Sequence, residues 1–203
     1  RLPTACVGHW FLARKTRPAL PTRPRPRVRL SLQWDRSSLG PARWPVYRAR
    51  LERLLQAAFN QVVAGNKANQ VVNMAGKKRR TAAKGAFLEL TLRMVGRDES
   101  QALNKQFRGK DSPTNVLTFG YEPLPEAVAD LVFCLPVLTH EALQQNKSVG
   151  DHFLHMAIHG ALHALGFDHQ TEPEALVMED LERALLARLG IPDPYAIGQA
   201  VAN

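Results

Sequence analysis

The sequence predicts an α+β fold in which a small mixed sheet of about four strands packs against helices, with a histidine-bearing helix at the centre. Alternating apolar and polar residues, which are typical of strands, occur mainly within residues 28–134. Apolar residues at three- and four-residue spacing, which are typical of helices, dominate residues 136–189. A chain of 203 residues with 45% hydrophobic content can bury one sizeable core, so we expect a single domain over residues 28–203.

Residues 1–27 are predicted to be a disordered basic tail. They contain five prolines and no acidic residue, and they lack apolar periodicity. The segment is poor in serine, which favours a chain extension over a transit peptide. Much of the formal net charge of +9 comes from this region, because residues 1–29 hold eight Lys or Arg. The net charge alone therefore does not indicate that the folded part binds nucleic acid.

The predicted strands and helices follow from the periodicity. Strand-like alternation covers residues 28–33, 88–94, 115–119 and 130–134. Helical spacing covers residues 47–65, 98–107, 136–145, 152–165 and 172–189. Asp98 is expected to cap the second helix, and Thr171 with Glu174 has the spacing of a capping box before the last helix. This last helix is expected to pack behind the helix over residues 152–165.

Residues 66–85 are predicted to form a basic loop insertion. The segment is polar and contains the run Lys77, Lys78, Arg79 and Arg80. Such a run is ordinarily a solvated surface, but it also suits contact with nucleic-acid phosphates. Together with the tail it would add affinity through release of counterions, which predicts strongly salt-dependent binding.

The cysteine content argues against a disulfide framework and against a zinc ribbon. Only Cys6 and Cys134 occur, far apart and without a CxxC pair. A reducing cytoplasm fits this content, and Cys134 is expected to be a small core residue. No apolar run approaches the roughly 18 residues that span a bilayer, so no membrane association is expected. Trp34, Trp44 and Phe167 are expected to pack in the core.

The strongest chemical signal is the stretch from His159 to His169, in which three histidines are spaced by four and six residues. On a helix, His159 and His163 lie one turn apart on the same face. Gly166 can end the helix in a left-handed conformation, so that His169 returns to the same ion. Three imidazoles at about 2.0–2.1 Å leave a fourth position open to water, as in a catalytic zinc site. We therefore predict one Zn²⁺ per chain, and another divalent transition metal such as Ni²⁺ also suits these ligands.

The other histidines and Asp168 receive less specific assignments. His155 lies eight residues, or about 12 Å along the helix, from His163, which is too far to share one ion. It is expected to stand beside the ligands, to face the substrate or to be structural. Asp168 can orient an imidazole through a hydrogen bond or stabilise the chain reversal, and both roles remain open. His140 and His152 have no informative spacing and are expected on the surface.

The histidine spacing equals that of metzincin peptidases, which raises a metallopeptidase-like hydrolase as an alternative. Those enzymes have a glutamate directly after the first histidine, where it acts as the general base. This chain has Gly160 at that position. The alternative is therefore a hydrolase without the usual Glu, in which the ion activates water alone or with the help of another group.

The chain also resembles the YbeY family of bacterial metal-dependent endoribonucleases. The resemblance rests on the pattern HGxLHxxGxDH at residues 159–169, on a second block at residues 104–119 and on the strand at residues 130–132. In the second block Arg108 is followed by the run PTNVLTF, which is similar to the family's PT-acid-VLSF. Two positions depart from the family pattern, because Asn115 stands where an acid is common and Gly120 where proline is common.

This resemblance implies a single-strand-specific endoribonuclease that acts in ribosomal RNA maturation and ribosome quality control in the cytoplasm. It implies that the three histidines of the motif are metal ligands and that Arg108 is a catalytic residue. A guanidinium stays charged, can bind two phosphate oxygens and can stabilise charge that gathers on phosphorus. Lys105 and Lys110 are expected to help hold the RNA backbone.

A non-enzymatic alternative remains open, namely a ribosome assembly factor that binds RNA and uses the metal only to hold its fold. In that case His163→Ala should unfold the protein, whereas a catalytic site predicts a folded but inactive variant. In either case the expected partners are ribosomal RNA and the ribosome, and neither DNA nor a membrane.

Overall fold

A computed structural model describes residues 28–41, 44–46, 48–68 and 86–196 of the chain. Within these ranges the protein forms four strands and six helices, which confirms the predicted α+β class. In chain order they are β1 (Val28–Trp34), α1 (Arg36–Leu39), α2 (Arg48–Ala68), β2 (Phe87–Val95), α3 (Arg97–Arg108), β3 (Val116–Glu122), β4 (Glu126–Cys134), α4 (Leu135–Gln144), α5 (Val149–Ala164) and α6 (Glu172–Ala187). The predicted tail and most of the basic loop lie outside the described residues.

The four strands form one mixed sheet in the order β1-β2-β4-β3. β1, β2 and β4 run parallel, whereas β3 pairs antiparallel with β4. β2 and β4 occupy the middle of the sheet and are largely buried on both faces, as expected for internal parallel strands covered on both sides. β3 is an edge strand of this sheet, so only one of its long sides is paired with another described strand.

The histidine-bearing helix α5 lies at the centre of the fold, as predicted. It packs on the sheet through β3 and β4 and contacts the helices α2, α4 and α6. Its apolar residues Phe153, Leu154, Ile158 and Leu162 are fully buried in the main core. The ring of Trp44 meets Phe153 edge-on, with 5.8 Å between the ring centroids. The predicted packing role of this tryptophan is therefore confirmed.

α3 covers the opposite face of the sheet. Leu103 packs there against Leu117 and Val132 in a second, smaller apolar cluster. The helix begins directly after Gly96, which has an extended conformation, so the prediction that Asp98 caps it is wrong. Asp98 lies in the first turn instead, where its negative charge still favours the helix N-terminus.

Several boundaries also differ from the predicted ones. α2 continues to Ala68, past the predicted end near Gly65. β4 begins at Glu126, four residues earlier than predicted, because its first residues pair with β2 and local alternation does not show this pairing. The four-residue helix α1 was not predicted, and Asp35 caps it by accepting a hydrogen bond from the Ser37 amide at 3.0 Å.

The remaining core predictions agree with the structure. Cys134 is fully buried at the end of β4, and burial raises the pKa of its thiol. Trp34 and Phe167 are partly buried and pack against the main core. Tyr47, which was predicted to begin the second element, lies outside the described residues. Among the helices of the described ranges, none has the length and apolar character needed to cross a bilayer.

Candidate metal centre

The three histidines predicted as metal ligands come together at the C-terminal end of α5. One ring nitrogen of each lies within 4.8 Å of those of the other two. The helix places His159 and His163 one turn apart, with 3.2 Å between their Nε2 atoms. The ring centroid of His169 lies 5.3 Å from that of His159 and 5.0 Å from that of His163. The predicted convergence of the three rings is therefore present.

The chain reversal after α5 brings His169 back towards the helix. Gly166 has a φ of 89°, a left-handed conformation that glycine adopts without the strain a Cβ would cause. The Gly166 amide donates to the His163 carbonyl at 2.9 Å, and the Phe167 amide donates to the Leu162 carbonyl at 3.0 Å. These bonds close the turn and satisfy carbonyl groups at the helix end.

A buried carboxylate on α6 fixes the orientation of His159. Glu182 is fully buried, and its Oε1 accepts a hydrogen bond from His159 Nδ1 at 3.0 Å. Its Oε2 accepts hydrogen bonds from His155 Nε2 at 3.0 Å and from the Tyr195 hydroxyl. Burial by itself would raise the pKa of Glu182, but the three hydrogen bonds outweigh burial and lower the pKa to about 2. The carboxylate is therefore ionised near neutral pH and can only accept hydrogen bonds.

This hydrogen bonding leaves a lone pair on Nε2 of both helical histidines. His159 must carry its proton on Nδ1, because Glu182 is only an acceptor. His163 must do the same, because its Nδ1 lies 3.0 Å from the Phe167 carbonyl oxygen, which also only accepts. Burial and then the neighbouring His159 lower the pKa of His163, which favours its neutral form.

The two Nε2 lone pairs face each other at 3.2 Å, and they repel each other unless a cation lies between them. Two nitrogen ligands of a tetrahedral zinc ion stand about 3.3 Å apart when each bond is about 2.0–2.1 Å long. The observed separation agrees with this value, and His169 offers a third imidazole beside the pair. The donor set therefore fits a divalent ion with three imidazole ligands and room for one further ligand.

Glu182 was not among the site residues predicted from the sequence. The sequence does indicate that Glu182 is buried, because it lies between Met178 and Leu185 on the apolar side of α6. A carboxylate within an apolar stripe requires buried hydrogen-bond donors. The donors that it meets depend on how α6 packs on α5, and local residue spacing does not contain that information.

The other two histidines of α5 also have carboxylate partners. His155 lies one turn before His159 and joins its network through Glu182, so it stands beside the ligands, which is one of its three expected roles. His152 is 2% exposed, and its Nε2 lies 2.8 Å from Glu141 Oε2 on α4. The prediction that His152 is a surface residue is therefore wrong, because the packing of α4 on α5 buries it. His140 is exposed, as predicted.

Among the described residues, the Asp168 carboxylate forms no hydrogen bond with an imidazole. Its carboxylate accepts hydrogen bonds from the His169 backbone amide and from the Gln170 side chain, each at 2.9 Å. Of the two roles left open by the sequence, these contacts match stabilisation of the chain reversal. Glu182 and the Phe167 carbonyl are the groups that orient the helical imidazoles.

An open groove of about 700 Å³ connects the histidines with the end of α3. Both His163 and His169 line it, and so does Arg108. Arg108 is the last residue of α3 and precedes Gly109, whose left-handed conformation with a φ of 69° ends the helix. Within the described part of the chain, the exposed Arg108 side chain forms no hydrogen bond or ion pair. The groove is therefore lined both by the positively charged guanidinium of Arg108 and by two histidines of the cluster.

The two predicted RNA-binding lysines lie outside the lining of this groove. Lys105 Nζ stands 2.6 Å from Asp111 Oδ2 in an exposed salt bridge, and Lys110 is exposed in the loop that follows α3. Tyr121, which was not among the predicted site residues, lines the groove with 41% of its surface exposed. Its hydroxyl donates to the buried Asp130 at 2.7 Å, which fixes the ring on the groove wall.

The two positions that depart from the family pattern both have a clear structural setting. The Asn115 side-chain amide donates to the Glu141 carboxylate at 3.2 Å, and its Oδ1 accepts from the Val116 amide at 2.7 Å. An acid at this position would instead place two carboxylates together. Gly120 lines the groove, and a Cβ added there would meet no atom within 4 Å.

Gly160 lies where α5 packs closely on the sheet. A Cβ at this position would stand 3.0 Å from Leu131 Cδ2 and 3.1 Å from Thr118 Oγ1. Both contacts are tighter than ordinary van der Waals distances, so a side chain at this position requires Leu131 and Thr118 to shift by a few tenths of an ångström. The peptidase alternative therefore lacks its general base, and the position that would hold it is tightly packed.

A family model and the curated relatives of this chain agree on one family. A family model described as Endoribonuclease YbeY matches residues 54–190, which include the three histidines, Arg108 and Glu182. An Endoribonuclease YbeY from Acidovorax sp. (strain JS42) is 54% identical over 109 residues, covering 53% of this chain and 72% of that protein. One from Halorhodospira halophila is 50% identical over 120 residues, covering 56% and 78%. The solution structure of TM1509 from Thermotoga maritima aligns with a TM-score of 0.46 at 19% identity, over 87% of this chain and 99% of that one.

Proposed function

This chain belongs to the YbeY family of endoribonucleases, and we propose that it cleaves single-stranded RNA in a metal-dependent reaction during ribosomal RNA maturation and ribosome quality control. One observation carries the cleavage part of the proposal: the histidine cluster and Arg108 open onto the same groove. The ribosomal substrate follows from the family resemblance.

The residues that would hold the ion are His159, His163 and His169. Zn²⁺ is the preferred assignment because three neutral imidazoles with a free fourth position suit it, and Ni²⁺ also suits these ligands. When bound, the ion supplies positive charge that polarises the scissile phosphodiester and lowers the pKa of water. Glu182 and the Phe167 carbonyl hold the helical rings so that their Nε2 atoms point into the cluster.

Arg108 is assigned the role of binding the phosphate group that reacts. A guanidinium donates two parallel hydrogen bonds to phosphate oxygens and stabilises the negative charge that develops in the transition state. No described carboxylate competes for its side chain, so RNA need not displace an existing ion pair. Lys105 and Lys110 are assigned to the RNA backbone beyond the groove, and Lys105 must leave Asp111 to bind there.

The preference for single strands is supported by the aromatic ring of Tyr121. An unpaired base can stack on an exposed ring, whereas a base within a duplex is already stacked on both faces. The ring lies on the wall of the groove that also contains Arg108. A strand whose phosphate binds Arg108 therefore passes close to a surface that accepts a base.

The wider setting is also part of the proposal. We assign ribosomal RNA and the ribosome as partners, the cytoplasm as location and residues 28–203 as one domain. The tail over residues 1–27 and the basic loop over residues 66–85 are proposed to add RNA affinity through their positive charge. DNA is not expected as a substrate.

The central experiment combines metal removal with substitution of Arg108. Treatment of the purified protein with a chelator should abolish cleavage of a single-stranded RNA, and added Zn²⁺ should restore it. Arg108→Ala should fold and bind metal like the parent protein but cleave about 10²- to 10³-fold more slowly. Arg53→Ala is the matched control, because Arg53 is exposed on α2 and does not line the groove.

Full activity of the chelated protein, or of Arg108→Ala, would overturn this mechanism. Equal losses in Arg108→Ala and Arg53→Ala would reduce the role of Arg108 to general attraction of RNA. His163→Ala distinguishes the assembly-factor alternative. A folded but inactive variant supports cleavage, and an unfolded variant supports a metal that only maintains the fold.

A further inference from the structure

The segment after α6 returns to the buried side of the metal centre. Ile191 is 7% exposed, and the Pro194 carbonyl accepts a hydrogen bond from Lys147 Nζ at 2.7 Å. Tyr195 lies under the Arg183 guanidinium, which is 5.0 Å from its ring centroid. The first two contacts fix the backbone before Tyr195, and the third holds the Tyr195 ring. The Tyr195 side chain is therefore held by residues other than the three histidines, although it lines a pocket with His159 and His169.

The Tyr195 hydroxyl is bound to the same carboxylate oxygen that His155 contacts. Burial and the bond to Glu182 raise the pKa of Tyr195, so the hydroxyl keeps the proton that it donates. With Oε2 held by these two donors, Oε1 of Glu182 faces His159 Nδ1 at 3.0 Å. Neither His155 nor Tyr195 belongs to the three-histidine cluster.

We propose that Glu182 is a positioning residue for the metal centre and that Tyr195 holds it in place, so that metal affinity depends on a segment that never touches the ion. The proposal rests on the three-histidine metal site of the proposed function. It makes no use of RNA cleavage.

The physical basis is the placement of the proton on the His159 ring. An ionised carboxylate accepts from Nδ1 and so leaves the Nε2 lone pair directed into the cluster. A glutamine at position 182 has one acceptor oxygen and one donor group. It cannot accept from His155, His159 and Tyr195 together, so one ring must change tautomer or lose its bond.

The chain contains a matched control for a purely structural role. His152 and Glu141 form a second histidine–carboxylate pair on the same helix, with 2.8 Å between His152 Nε2 and Glu141 Oε2. His152 is as buried as His155, and neither residue of the pair belongs to the metal cluster. Glu141→Gln therefore makes the same chemical change at a less buried carboxylate that hydrogen-bonds to a histidine of the same helix but contacts no proposed metal ligand.

The experiment measures Zn²⁺ affinity of the metal-free full chain by competition with a chromophoric chelator, together with thermal unfolding of each metal-free variant. Glu182→Gln should weaken Zn²⁺ binding by about 10- to 100-fold. Tyr195→Phe should weaken it by about threefold or more, as expected for loss of one hydrogen bond. Glu141→Gln should leave the affinity within about twofold of the parent, although its unfolding temperature falls.

A second readout follows the ring directly. In ¹⁵N-histidine spectra of the metal-free protein, His159 should be protonated on Nδ1, and Glu182→Gln should shift either His159 or His155 towards the other tautomer. Should Glu182→Gln not fold, the Zn²⁺ affinity of Tyr195→Phe decides, because this variant keeps the carboxylate and so leaves the tautomer of His159 unchanged. A merely structural role for Glu182 would leave the tautomers of both His155 and His159 unchanged in Glu182→Gln.

Three results would overturn the inference. The first is a Zn²⁺ affinity of Glu182→Gln equal to that of the parent. The second is an equal loss of Zn²⁺ affinity in Glu182→Gln and Glu141→Gln. The third is an unchanged Zn²⁺ affinity in Tyr195→Phe. In each of these cases the parent still binds Zn²⁺ and the proposed function stands. A parent chain that binds no Zn²⁺ would overturn both the metal requirement and this inference.

Discussion

At the scale of single residues, the two fully buried histidines of α5, His152 and His155, both lie outside the three-histidine cluster. His152 is enclosed between α4 and α5 and lies seven residues before the first predicted ligand. Burial lowers its pKa below the usual 6.5, and the hydrogen bond from its ring to Glu141 only partly opposes this effect. The folded state therefore resists protonation of His152, whereas the unfolded state does not.

A pH dependence of stability follows for the metal-free protein. Because the folded pKa of His152 is depressed, its contribution is fully present above pH 6.5 and is lost as the pH falls below that value. When the pH is lowered from above to below 6.5, the free energy of unfolding should fall less in His152→Gln than in the parent. Chemical denaturation at a pH on each side of 6.5 measures this fall. Identical pH slopes for variant and parent would contradict the assignment.

Tyr121 supports a second prediction at this scale. Tyr121→Leu should weaken binding of a single-stranded RNA oligonucleotide by about 1–3 kcal/mol, because a base loses its stacking surface. Tyr121→Phe keeps the ring and removes only the hydrogen bond to Asp130, so its RNA affinity should stay near that of the parent. The measurement is a binding titration with chelated protein. Equal affinities of the Leu and Phe variants would exclude stacking on this ring.

The site residues show what local sequence can and cannot predict. His159, His163 and His169 were identified because helical periodicity and one glycine determine their relative positions within eleven consecutive residues. Glu182 was missed because its contact with His159 depends on the packing of two helices. His152 was misplaced for the same reason, since α4 covers a position that looks exposed when the helix is considered alone.

At the scale of elements, the end of α3 determines where Arg108 stands. Gly109 closes this helix in a left-handed conformation, and its amide hydrogen-bonds to the Lys105 carbonyl at 3.1 Å. The loop that follows is tied back by the Asn104 side chain, which donates to the Ser112 carbonyl at 2.8 Å. Arg108 thus stands at a helix end that is held both by the Gly109 amide and by the Asn104 side chain.

Substitution of Gly109 should disturb both stability and cleavage. Gly109→Ala should lower the free energy of unfolding by about 1 kcal/mol, because a Cβ strains the left-handed backbone. It should also slow RNA cleavage, since relief of that strain moves the last turn of α3. Gly120→Ala is the control for stability, because a Cβ there meets nothing within 4 Å and no positive φ is involved. Equal unfolding free energies for both variants would contradict the strain argument.

Element type was easier to predict than element length. Amphipathic spacing identified α5 and α6 and the capping box of Thr171 with Glu174, which the structure confirms. The early start of β4 at Glu126 was missed because small residues such as Ala127 and Ala129 give a weak alternating pattern. Their strand conformation comes from pairing with β2, a partner about forty positions away in the chain.

At the scale of the whole molecule, we expect metal binding and folding to be coupled. An ion that binds only the folded state stabilises it by about 2.7 kcal/mol at a concentration of 100 times Kd. For a chain of this size the gain corresponds to a rise in Tm of roughly 5–10 °C. His169 is exposed, so its replacement should alter the metal site without a loss of core packing.

This coupling gives a test based on thermal unfolding. Zn²⁺ should raise the Tm of the parent, whereas His169→Ala should have nearly the parent's Tm without metal and gain much less on addition of Zn²⁺. Differential scanning fluorimetry with and without chelator provides both values. An undiminished rise in His169→Ala would show that the ion binds elsewhere.

The α+β class and the central position of the histidine helix were predictable because long periodic segments fix element type and the buried side of each helix. The strand order β1-β2-β4-β3 was not, since it depends on long-range pairing. The groove between the end of α3 and the end of α5 could not be predicted either, because Arg108 and His163 reach it from opposite faces of the sheet.

The tight fit at Gly160 limits how this scaffold can be redesigned. A protein engineer who wished to turn the site towards peptide hydrolysis would first insert a glutamate after His159. The sheet lies directly beneath that position, with Leu131 and Thr118 in the way. A redesign at this helix would therefore have to change the neighbouring side chains of the sheet together with residue 160, so a single codon change would leave the new side chain crowded.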